Sequence, residues 1–162
     1  MSSMRDELVE AWRTNNRIHL FLLDKISAAG LKSSLSSRGG RDVARQFAHL
    51  HDVRIYHLEK RAKDLAADLT KFQSKGAPTV TPSKAQLKKA LTASGRAIET
   101  FLEDVLAGAP KRKGFKKGIF TTLSYFIAHE SHHRGSILLT LKEAGHNLDK
   151  DDRDAIWSWD TF

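Results

Sequence analysis

The residues best suited to chemistry lie in Ala128-His129-Glu130-Ser131-His132-His133-Arg134-Gly135-Ser136, where three of the chain's eight histidines fall within five positions. Apolar residues flank the run: Leu123, Tyr125, Phe126 and Ile127 before it, Ile137, Leu138, Leu139 and Leu141 after it. Proline is absent from Phe115 to Phe162, so one helix can pass through the whole stretch. On a helix, positions i and i+4 point within about 40° of each other at 3.6 residues per turn. His129 and His133 therefore share a face, a spacing that suits two imidazoles on one divalent metal. His132 points in a neighbouring direction and fits the same ion less well.

The phase of this helix sets the cluster against its apolar side. With Leu123 at the centre of the apolar arc, Ile119, Phe126, Ile137 and Leu141 fall within about 60° at 100° per residue. Glu130 and Arg134 fall inside that arc, and His129 and His133 lie along its edge. A polar patch thus interrupts an apolar face, and buried polar groups need partners. A metal would supply them, and so would a network from a neighbouring helix.

His129-Glu130-Ser131-His132-His133 also matches H-E-x-x-H, which in zinc proteases provides two ligands and a glutamate base. The string is short and chance matches are common. Its extended form, with glycine and histidine further along, fails at Ser136 and Leu139. Glu143 is a poor third ligand because the same helix carries it. The protease reading is therefore disfavoured.

Composition limits the alternatives. The 162 residues suit one domain spanning 1–162, and 40% hydrophobic content with three tryptophans suffices for a core. No apolar run approaches the roughly 18 residues of a membrane span. The opening Met1-Ser2-Ser3-Met4-Arg5-Asp6-Glu7 lacks a signal-peptide apolar region, so a cytoplasmic location is expected. Cysteine is absent, so any metal must be held by histidine or carboxylate. The net charge of +8 fits an acidic partner such as nucleic acid, or simply a basic surface.

Four helices are expected to position the cluster. The first runs from Arg5 to Ser27, with Leu8, Trp12, Asn15, His19, Leu22 and Ile26 at alternating fours and threes. Two of these are polar, so either this helix also faces a site or it rotates and packs Ile18 instead. Ala29 to Gly40 reads as a loop with Gly30, four serines and Gly39-Gly40. The second helix, Arg41 to about Leu69, carries a stripe of Val43, Phe47, Leu50, Leu58 and Leu65. His49 lies at the edge of that stripe, Arg54 inside it, and His57 two turns beyond His49. Spacing alone leaves both His49 and His57 open as a third ligand. Lys71 to Pro82 is a linker. Ser83 caps the third helix, with Gln86 completing a capping box. That helix runs to about Leu106, and Ser94 is small enough to let a neighbour approach. Gly108 to Gly118 is a basic loop with Lys111, Arg112, Lys113, Lys116 and Lys117, read as solvated. The last helix spans about Gly118 to Ala144. Trp157, Trp159 and Phe162 in the tail should be buried against the bundle or a partner subunit. No strand is evident. The fold class is all-α, a four-helix bundle, and such bundles build metal sites between facing helices.

Phe47-Ala48-His49-Leu50-His51-Asp52-Val53-Arg54, together with Ala128 to Gly135, resembles the DinB family. Trp12-Arg13-Thr14-Asn15-Asn16-Arg17 and Gly145-His146 add to the likeness, which covers nearly the whole chain. The resemblance implies a homodimeric bundle with a divalent metal, zinc or nickel, on three histidines. Carried over, these are His49, His129 and His133, which selects His49 over His57. Ser136 departs from the glutamine that relatives often carry there.

Some relatives are thiol-dependent transferases or isomerases that use low-molecular-weight thiols. The expected function is therefore a metal-dependent enzyme, a thiol-dependent transferase or a hydrolase acting on a small molecule. Three imidazoles would leave a coordination position open, Glu130 would act as base or as an orienting group, and Arg54 and Arg134 would receive an anionic substrate group. For the two arginines an ion-pair network with Glu130 or Asp52 is the competing reading. The alternative functions are a non-catalytic metal-binding stress protein and a basic nucleic-acid-binding module.

Overall fold

The computed structural model describes residues 3–35, 40–76 and 79–162. Four long helices carry the fold: α1 (Met4–Lys25), α3 (Val43–Arg61), α4 (Lys84–Leu106) and α5 (Ile119–Glu143). Two short ones are added, α2 (Ala28–Leu31) and α6 (Lys150–Ala155), with single 3₁₀ turns at Lys63–Ala66 and Trp159–Thr161. Among the described residues there is no strand, only an isolated bridge between Phe115 and Gly118. None of the described helices is long and apolar enough to cross a membrane.

The helix starts follow capping chemistry. Ser83 caps α4 and Gln86 returns the bond, as expected from that pair. Ser3 and Asp6 do the same for α1. The second long helix is shorter than expected: Asp42 caps it at Arg45 N and it ends at Arg61, where Ala62 leaves the helical region. The chain then continues as the 3₁₀ turn to Ala66 rather than as helix to Leu69. The expected loop after α1 contains α2, started by Ser27 accepting a bond from Gly30 N. Gly30 fits closely there: a Cβ would stand 3.0 Å from the side chains of both Ile26 and Leu141, which would have to give way. Ser36, Ser37 and Gly39 of that loop lie outside the described residues, as do Ala77 and Pro78 of the linker.

Helices α1 and α3 each pack on both α4 and α5. The core is divided into two apolar lobes. One gathers Leu22, Leu23, Phe47, Leu50, Leu87, Leu91, Ile137 and Leu141. The other gathers Trp12, Ile55, Leu58, Ile98, Phe101, Leu123 and Phe126. Each long helix contributes polar residues between its two apolar segments: Asn15 and His19 from α1, Arg54 from α3, Ser94 from α4, Glu130 and Arg134 from α5, all buried. Both readings of α1 hold at once, since Ile18 is buried beside Asn15 and His19.

The tail packs only in part. Leu148 and Ile156 are buried, and Phe162 meets Phe21 edge-on at 5.4 Å between ring centres. Trp159 is half-buried, but Trp157 is 73% exposed, so it is not buried within the chain as expected. It follows the single turn of α6, which directs Ile156 inward and its neighbour out. The basic loop also differs from a purely solvated segment. Arg112 is bidentate on Asp64 at 2.6 and 2.7 Å and bonds Asp104 at 2.9 Å, tying the loop to the 3₁₀ turn and to α4.

Candidate metal centre

Helix α5 carries His129 and His133 one turn apart, and α3, packed against it, carries His49. The ring centres of His49 and His129 are 5.5 Å apart, and each is 4.7 Å from His133. One nitrogen from each of the three rings lies within 4.8 Å of the others. All three side chains are half-buried at the bundle surface. This donor set fits a divalent ion: three neutral nitrogens on two rigid elements, with no thiolate to favour a softer metal. His132 is exposed and lies outside the trio, with its ring 5.2 Å from that of His133. His57 is also outside it, packed among Phe115, Tyr125 and Phe126.

The trio is poised to be neutral. Burial first, then the positive charge of Arg41 and the neighbouring His129, brings His49 down to about 4. His133 is likewise brought to about 4, by burial and then by His129 and His49. His129 is lowered by burial, which outweighs the pull of Glu130. An unprotonated imidazole is the ligating form, so these shifts favour metal over proton. Tyr125 stacks nearly parallel on His129, at 5.9 Å and 12°, and restrains its ring plane.

Glu130, the next residue on α5, points into the bundle instead. It is 1% exposed, and its Oε1 accepts from Arg54 Nε at 2.6 Å. Its Oε2 accepts from Arg54 Nη2 at 2.9 Å and Asn15 Nδ2 at 2.7 Å. Arg54 spends its remaining donors on Asn16 Oδ1, the Leu91 carbonyl and Ser94 Oγ, and lies 4.9 Å from the Trp12 ring. Burial raises the Glu130 carboxyl, but the Arg54 guanidinium more than offsets this and holds it below its usual value. Arg134 donates to Asn15 Oδ1 at 3.3 Å and Ser131 Oγ at 3.0 Å. His19 completes the layer, with Nδ1 2.8 Å from the Asn15 carbonyl. Burial brings its pKa to about 4. Of the two readings open for Arg54, the arrangement is the ion-pair network, with each guanidinium nitrogen bonded within the bundle.

Two surface depressions flank the trio. One, of about 370 Å³, has His49, Asp52, Phe72 and Arg45 in its wall. The other, of about 250 Å³, is lined by His133, His132, Gln46, Ser136 and Thr140. Arg41 lines both. Sequence reasoning gives it no role: it stands there as the first residue of the second helix, belongs to no periodic stripe and matches no motif, whereas α3 starts at Val43. It also missed Asn16, whose amide lies where a side chain on Gly95 would be, 2.4 Å from an added Cβ. That close approach makes Gly95, beside the fully buried Ser94, a position where α1 and α4 need a small residue.

The chain matches a family model described as DinB family over residues 1–159. No curated protein and no solved structure matches it. With a match that spans all but the last three residues and a helical bundle presenting three converged histidines, the chain belongs to the DinB family.

Proposed function

We propose that the protein holds one divalent ion, zinc or nickel, on His49, His129 and His133 and works as a metal-dependent transferase or hydrolase. The observation that carries this reading is the convergence of three nitrogens from α3 and α5 within 4.8 Å. A three-histidine set leaves coordination open for a water or a substrate thiolate, and a bound ion would lower the pKa of either. A low-molecular-weight thiol is the co-substrate that family membership favours. The protein would act in the cytoplasm as a homodimer.

The chain's own residues divide the remaining work. Tyr125 sets the plane of His129. Glu130 anchors the α5 backbone at the ligand's height and serves as an orienting group rather than a base, since both its oxygens are occupied by Arg54 and Asn15. Arg54 and Arg134 hold that anchor in place. The nucleic-acid alternative is weakened because Arg112, in the middle of the basic loop, is committed to Asp64 and Asp104.

The deciding experiment is reactivity profiling of metal-loaded protein with thiols and electrophiles, beside His49→Ala. Turnover that needs both metal and His49 supports the reading. A metal-loaded protein inert to every thiol and ester offered would leave the metal-binding stress protein in its place.

A further inference from the structure

We propose that the small molecule reaching the histidine trio is an anion and that Arg41 receives its charged group. The inference rests on the metal reading above and names the substrate class of that site.

Charge is the first argument. Inside the bundle, Glu130 is neutralised by Arg54, and Arg134 adds a positive charge that no other buried carboxylate matches. At the surface, Arg41 and Arg45 face Asp52, the one acidic residue in the walls of the two depressions. Asp52 is already engaged, accepting from Phe72 N at 2.8 Å and Gln73 N at 3.0 Å. Asp42, next to Arg41 in sequence, is spent on capping α3 and on Thr81 Oγ1. A divalent ion on three neutral imidazoles would make the surroundings more positive still. An anion is the ligand such a site attracts.

Placement is the second argument. Arg41 is exposed and makes no ion pair or side-chain hydrogen bond among the described residues. Arg45, by contrast, donates to the Gly40 carbonyl. Arg41 is common to the depressions on either side of the trio, and its charge is felt at His49, His129 and His133. A free guanidinium presents a planar fork matched to carboxylate, sulfonate or phosphate oxygens. The arginines picked out by sequence, Arg54 and Arg134, are buried, so this role passes to the one ahead of the helix.

The test uses cobalt-loaded full-length protein and two thiols of equal length, 2-mercaptoethanol and 2-mercaptoethanesulfonate. A sulfonate is a poor metal ligand, and the charge of the ion itself acts equally in every variant, so the part of the preference that is lost in Arg41→Ala reports the arginine contact. Binding is read from the thiolate-to-cobalt absorption, and metal content is measured separately. Wild type should bind the sulfonate roughly tenfold more tightly at low salt, with the preference shrinking as salt rises. Arg41→Ala should bring the two thiols within about twofold while keeping cobalt and the affinity for mercaptoethanol. Arg41→Lys should keep part of the preference. Equal affinities in wild type, or a preference that survives in Arg41→Ala, overturn this inference alone. Failure to take up cobalt, or cobalt that gives no thiolate band with either probe, overturns the metal–thiol reading and this inference with it.

Discussion

Arg54 Nε stands 2.6 Å from Glu130 Oε1, with both side chains almost fully buried between two apolar lobes. A buried pair of this kind is costly to break and cheap to replace as a unit. Glu130→Ala should lower the unfolding free energy by about 3–5 kcal/mol, because it strands the Arg54 charge. The double change Arg54→Met with Glu130→Leu should cost clearly less than Glu130→Ala alone. Denaturant unfolding of the three proteins measures both. A loss below about 1 kcal/mol for Glu130→Ala would mean that water reaches the pair and that its structural role is wrong.

The ligand set has its own signature in metal content. Alanine at His49, His129 or His133 should remove the ion, whereas alanine at His132 or His57 should largely keep it. Elemental analysis of the five purified variants decides this. Full occupancy in His129→Ala combined with loss in His132→Ala would put the site on a different face of α5.

The depressed imidazoles predict how pH acts on the metal-free protein. His19 has a folded pKa of about 4, against an ordinary value near 6.5. A lowered histidine pKa means the unfolded chain takes up the proton first. Its contribution to stability is therefore fully present above about 6.5 and is lost as pH falls from there towards 4. The full loss is on the order of 3 kcal/mol for His19. Half-buried His49 and His133 act in the same direction with smaller effect. Urea unfolding at several pH values should show a shallower slope for His19→Gln than for wild type. Identical slopes would show that His19 is not buried as a neutral ring.

The basic loop divides between one fastened residue and its solvated neighbours. Arg112→Ala should lower the melting temperature, because it releases the loop from Asp64 and Asp104 together. Lys111→Ala and Lys113→Ala should leave the melting temperature unchanged, as expected of exposed surface charge. Equal effects from all three would reduce the Arg112 contacts to surface ornament.

Much of this was legible in the sequence, for reasons that can be named. His129 and His133 follow from helical periodicity alone, and Ser83 with Gln86 follows from capping. The choice of His49 over His57 did not follow from spacing. Both sit on α3 two turns apart, and only the height at which α3 meets α5 separates them. The family likeness supplied that height indirectly. Helix α2 was hidden because four residues are too few to show a period. Of the two places expected for Trp157, the bundle is excluded by its exposure; apolar composition says how much surface wants burial, not which side of a short turn a side chain leaves from. Arg41 reads only as the start of the second helix, since nothing in periodicity marks an exposed arginine at a helix end as part of a site.

The polar layer between the two lobes also works as a vernier. Sliding α5 along the bundle by one turn, about 5.4 Å, would bring Arg134 or Phe126 in place of Glu130 against Arg54, and so a like charge or an apolar ring against the guanidinium. Every other register is therefore penalised from inside the core, at a depth the solvent does not reach. The height at which His129 and His133 meet His49 is set by groups that touch no ligand. Histidines on the outer wall can thus be exchanged or loaded with different ions without the helices losing their place.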